Sequence, residues 1–111
     1  MLLVPFTPLV GTLALVAAST APTGIQPTTT VTTEAQQIEI YNSGTVPAFI
    51  GYGATAAAAQ TASAAPSGST AQNVVVIPPG TSKRYSFPPN MFFSGYASSN
   101  STCYLTVGKG V

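Results

Sequence analysis

The chain has 111 residues, 45% of them hydrophobic, with a formal net charge of +1. Glu34, Glu39, Lys83, Arg84 and Lys109 are the only charged side chains, and histidine, aspartate and tryptophan do not occur. So small a stock of titratable groups argues against proton-transfer catalysis, and so weak a field argues against nucleic acid or an anionic membrane as partner.

A chain of this length suits one domain that buries roughly two-thirds of its unfolded surface. Few charges also make a free monomer poorly soluble, so much of the surface is expected to be covered by neighbouring subunits. Cys103 is the single cysteine. It cannot form an intrachain disulfide, and its place in an alternating stretch reads as a small packing residue.

The most apolar stretch runs over residues 2–18. A secretory signal needs a basic region ahead of its apolar run, and no Lys or Arg occurs before Lys83. A membrane-spanning helix needs about 20 apolar residues, whereas this run is broken by Pro5, Pro8 and Gly11. Residues 1–8 therefore read as an extended N-terminal arm whose apolar side chains, Leu2, Leu3, Val4 and Phe6, are candidates for docking on a partner. Residues 9–111 read as one domain, with residues 12–18 as its first strand.

No segment shows helical periodicity between caps, and alternation recurs instead. A strand is expected over residues 28–33. Ile38 and Ile40 share one face of the next, with Glu39 and Tyr41 on the other. Asn42-Ser43-Gly44 reads as a turn in which Gly44 takes a positive φ, and residues 46–52 return. The Ala/Ser/Thr-rich residues 53–71 read as a surface insertion, with one possible helical turn at residues 56–59. Strands follow over residues 73–77, 83–87, 92–97 and 102–107, separated by Pro78-Pro79-Gly80, Pro88-Pro89-Asn90 and residues 97–101. Seven or eight short strands at this spacing predict an all-β fold, an antiparallel β-sandwich of jelly-roll type.

Motifs for chemistry are poor. Without histidine no nucleophile–His–acid set forms, and one Cys with two Glu makes no ordinary zinc or calcium site. Catalytic, metal and cofactor residues are therefore expected to be none. Gly51-Tyr52-Gly53 and Gly108-Lys109-Gly110 lack the further residues of a phosphate loop and read as strand ends. Asn100-Ser101-Thr102 matches a glycosylation acceptor formally, but no secretion signal accompanies it. Phe92, Phe93 and Tyr96, large and near turns, are the candidate interface anchors of the domain.

Three stretches in order carry a resemblance. Residues 38–53, IEIYNSGTVPAFIGYG, resemble the strand–turn–strand pattern I-x-N-x-G-x-x-P-A-F-V-x-x-G of small tailed-bacteriophage virion proteins. Pro78-Pro79-Gly80-Thr81-Ser82 ahead of Tyr85-Ser86-Phe87 is similar to their next turn and strand. Residues 102–111 are similar to their terminal strand, which often ends G-x-G-hydrophobic. The resemblance implies a non-enzymatic capsid decoration (cement) protein on the exterior of the virion. Its partners would be the major capsid protein and further copies of itself, with a trimer favoured, and no small-molecule substrate. The second expectation is a tail, fibre or neck component that binds a receptor or glycan, with Tyr52, Tyr85 or Tyr96 stacking on sugars. A third is a secreted surface protein with a mature N-terminus near residues 18–22.

Overall fold

A computed structural model describes residues 7–27, 36–68 and 71–109. Among these residues, seven strands and one short helix follow in the order β1 (Thr7–Ala17), β2 (Gln36–Asn42), β3 (Ala48–Gly53), α1 (Ala56–Ala62), β4 (Val74–Ile77), β5 (Ser82–Phe87), β6 (Phe92–Tyr96) and β7 (Ser101–Lys109). They form two antiparallel sheets, ordered β1-β7-β2-β5 and β4-β3-β6.

Residues 18–27 run along the free side of β6, where Ile25 bridges Phe93 and Ala18 bridges Tyr96. With that segment counted, each sheet has four members and the chain changes sheet at every connection except β3 to β4. The first and last strands are neighbours, as a jelly roll requires. The expected sandwich is the observed fold.

Alternation explains the elements. Ile38 and Ile40 on β2, Cys103, Leu105 and Val107 on β7, and Leu15 and Ala17 on β1 all point inward and are almost completely buried. From the facing sheet come Ala48, Ile50, Ile77 and Phe93. Removing this apolar area from water, at about 25 cal/mol per Å², is the main force that closes the two sheets. An aromatic cluster plugs one end of the core: Phe87 lies edge-on to Phe93 at 5.0 Å and to Tyr52 at 5.1 Å, with Tyr85 at 5.9 Å.

Cys103 belongs to this core, and burial pushes its thiol up to about 11. Pro8 is tolerated on β1 because β1 is an edge strand, and the register of β1 slips between Pro8 and Thr12.

Several expectations change. Residues 1–6 of the arm and residues 28–33, where a strand is expected, lie outside the described residues. Thr7 and Pro8, read as part of the arm, already pair with Lys109 and Gly108. Gly44 does not adopt a positive φ; among the described residues only Gly68, Gly80 and Asn90 do. Glycine is needed at 44 for space, since a Cβ there would lie 2.9 Å from the Cα of Ser101.

The single turn expected at residues 56–59 is the start of the longer α1, capped by Thr55, whose Oγ1 accepts from the Ala58 amide at 3.1 Å. Helix α1 packs on β3 and β6, and the reason is the pair Gly51 and Gly53. Built Cβ atoms on them would lie 2.7 Å from the Ala59 carbonyl oxygen and 2.7 Å from the Ala58 Cβ, respectively. The glycine pair read as strand ends is thus a seat for a helix. Ser63 locks it, donating to the Ala59 carbonyl at 2.8 Å and accepting from the Gly51 amide at 3.2 Å.

Candidate functional site

A sandwich turns its odd and even side chains to opposite sides, so each sheet has an outer face free to meet partners. On the four-stranded sheet, β1, β7, β2 and β5 lie side by side and their registers set the outward residues in rows. Ala14, Tyr104, Tyr41 and Ser82 form one row; Thr12, Thr106, Glu39 and Arg84 form the next. Val16 stands opposite Thr102 beyond the first. Val16, Tyr41 and Tyr104 are 43%, 41% and 41% exposed, high values for large apolar side chains. Thr12 and Thr106 share a hydroxyl–hydroxyl bond of 2.8 Å, and Arg84 reaches Glu39 at 3.4 Å. That ion pair is half-exposed and contributes at most about 1 kcal/mol.

The outer face of the three-stranded sheet carries a second apolar row, Val76, Phe49 and Tyr96, set opposite one another across β4, β3 and β6. The Phe49 and Tyr96 rings lie 6.0 Å apart and Val76 is 40% exposed. Helix α1 covers the adjoining part of this face over Gly51 and Gly53. Between α1 and residues 71–73 runs a shallow groove of about 650 Å³ lined mainly by alanine, with Thr61, Gln72 and Asn73.

The sequence-predicted anchors divide. Phe92 and Tyr96 are two steps of alternation apart on the outer side of β6 and are partly exposed. Phe93, between them, is fully buried against Phe87, so it is a core residue and not an outward anchor. A strand cannot present three such residues on one side, because the side-chain period is two. Leu2, Leu3, Val4 and Phe6 lie outside the described residues. Tyr52 and Tyr85, considered for sugar stacking, point inward and pack on Phe87; of that trio only Tyr96 faces out.

Tyr41 and Tyr104, like Val16 and Val76, are exposed residues that no motif singles out. Each sits at the polar phase of an alternating strand, which was the available signal. Their adjacency is created by the pairing of β2 with β7, more than sixty residues apart, and no local pattern announces it.

Among the described residues no group of three or more His, Cys, Asp or Glu side chains comes together as a metal site. No described helix is long and apolar enough to cross a membrane. The one buried side-chain polar atom lacking a partner among the described residues is Gln37 Oε1, beside a small pocket of about 160 Å³ shared with Arg84, Tyr85 and Ser86. Comparison with family models, with curated proteins and with solved structures finds no match. What the chain does has to be read from its own surfaces.

Proposed function

We propose that this chain is a non-enzymatic virion structural protein, a capsid decoration (cement) protein that sits on the outside of the shell and bridges neighbouring major capsid subunits as a homo-oligomer. The observation that supports it is bivalence. Both outer faces of the sandwich carry apolar side chains open to solvent, the exposed Val16, Tyr41 and Tyr104 on one and the exposed Val76 beside half-buried Phe49 and Tyr96 on the other. A bridge needs two adhesive surfaces, and a chain with five charges has little else to adhere with. The resemblance of residues 38–53 and of the later turn and terminal strand to small tailed-phage virion proteins points the same way.

In this reading Tyr96 and Phe92, with the apolar arm, meet the capsid, and burial of that area supplies the binding free energy. The test is location. Reconstruction of the phage that carries this coding sequence should show the sandwich in many copies spread over the shell. Density at a single vertex, in a few copies, would remove the decoration reading.

One observation favours a second reading, a tail or fibre module that binds glycans: Tyr41 and Tyr104 lie side by side on a hydroxyl-rich sheet face. Aromatic faces flanked by Thr and Ser hydroxyls suit stacking on sugar rings. Few copies at one vertex, together with glycan binding that Tyr104→Ala abolishes, would establish it.

A further inference from the structure

We infer that the outer face of the four-stranded sheet is a two-fold contact between two copies of this chain. Its described outward side chains include one acid and one base, Glu39 and Arg84, and these are already paired with each other at 3.4 Å. The face is therefore neutral, and a like surface can be laid on it without stranding a charge.

The register makes the fit specific. A two-fold axis along the strands, between β7 and β2, keeps each row and exchanges the columns. Tyr104 of one copy then faces Tyr41 of the other, Glu39 faces Thr106 and Arg84 faces Thr12. Tyrosines meet tyrosines, each carboxylate and each guanidinium meets a hydroxyl, and like charges never oppose. Two sheet faces pack about 10 Å apart, the distance that interdigitated tyrosine rings fill.

Size sets the strength. Four strands spaced at about 4.8 Å, with some six residues of length each, present about 400 Å² per copy, or about 800 Å² in the pair. Stable dimers bury at least about 1,200 Å², so the contact is weak in solution and gains weight where copies are already held close together. The opposite face of the sandwich stays free, so this pairing does not depend on what that face docks on, and it can fail or hold independently of the decoration reading.

Sedimentation of the purified full chain from about 10 µM to about 1 mM tests it. The expected result is a twofold rise in mass across that range, from whatever the smallest species is. The double variant Tyr41→Thr/Tyr104→Thr keeps strand-forming residues and should move the midpoint at least tenfold higher, with an unchanged melting temperature. Tyr104→Glu should abolish the step. A wild-type chain whose mass stays constant to about 1 mM overturns the inference. So does a doubling that none of these variants alters, or a constant mass accompanied by glycan binding at the two tyrosines.

Discussion

Ser101 donates its hydroxyl proton to Asn42 Oδ1 across 2.5 Å, joining the start of β7 to the end of β2 in a site neither residue shares with solvent. The rest of Asn42 is equally committed. Its amide nitrogen donates to the Val46 and Ile77 carbonyls at 2.8 and 3.0 Å, and Oδ1 also accepts from the Gly44 amide at 2.9 Å. Its backbone donates to Thr81 and accepts from Gly80. One side chain thus uses both donors and both lone pairs to tie the loop after β2, the end of β4 and the start of β7 together, and with them both sheets.

Asn42→Ala should therefore be among the most destabilising single changes in the chain. It removes two buried bonds, to the Ile77 carbonyl and the Ser101 hydroxyl, and two half-buried ones, to Val46 and Gly44, which corresponds to about 3–5 kcal/mol. Ser101→Ala removes the bond to Oδ1 and a long one of 3.4 Å to the Val46 carbonyl but leaves Oδ1 its contact with Gly44, so about 1 kcal/mol is expected. Urea denaturation of the two variants checks the order. Similar losses for both would mean that the amide is not the hub.

Alkaline pH should find Cys103. In the unfolded chain the thiol ionises near 9.0, whereas burial holds it neutral until about 11 in the fold. The folded value is the higher one, so this contribution is complete below pH 9 and is lost as pH rises through 11. The unfolded state sheds its proton first and is favoured, by up to roughly 3 kcal/mol. The comparison is with Cys103→Ala. That variant should start less stable near neutral pH, by about 1 kcal/mol for the small void, and fall less steeply. Native protein should also resist thiol reagents at pH 8 that label it fully in urea.

Much of the sandwich is legible because its strands alternate cleanly. Ile38/Ile40, Cys103/Leu105/Val107 and the turn at Pro78-Pro79-Gly80, where Gly80 takes a φ of 69°, fall where the pattern puts them. What the pattern hides is distance in sequence. Asn42 looks like a turn residue from its neighbours Ser43 and Gly44, yet two of its partners, Ile77 and Ser101, lie 35 and 59 residues away. Gly44 reads as a turn glycine and Gly51 and Gly53 as strand ends, but each is required by something brought against it from elsewhere. The outward tyrosine pair on β2 and β7 is hidden for the same reason. Local chemistry names the element; only the closed fold says what stands opposite.

The seat of α1 can be tested directly. Gly51→Ala places a methyl group 2.6 Å from the Ser63 nitrogen and 2.7 Å from the Ala59 carbonyl oxygen, both backbone atoms that cannot rotate away. The helix must lift. It is seven residues long, with no acidic residue in its first turn or basic one in its last, so little else holds it. A loss of about 2 kcal/mol is expected, with faster amide exchange at residues 56–63 and little change in β2 or β7. Uniform loss of protection through both sheets would show that α1 is integral to the core.

Phe92, Phe93 and Tyr96 provide the sharpest contrast because they are neighbours with opposite orientations. Phe93→Ala empties a fully buried ring site and should cost about 3–5 kcal/mol, whatever the chain binds. Tyr96→Ser and Phe92→Ser act on partly exposed positions and should cost about 1 kcal/mol or less. If the three-stranded face docks on a capsid, these two variants should lower occupancy on particles lacking the native protein while the melting temperature holds. Removal of Met1–Phe6 should do the same, since it leaves β1 its pairing from Thr7 onward. Occupancy and heat resistance of the particles, measured by gel densitometry and a release temperature, separate docking from folding. Variants at Phe92 and Tyr96 that fill particles as fully as the native chain would move the capsid contact off this face, leaving the core role of Phe93 untouched.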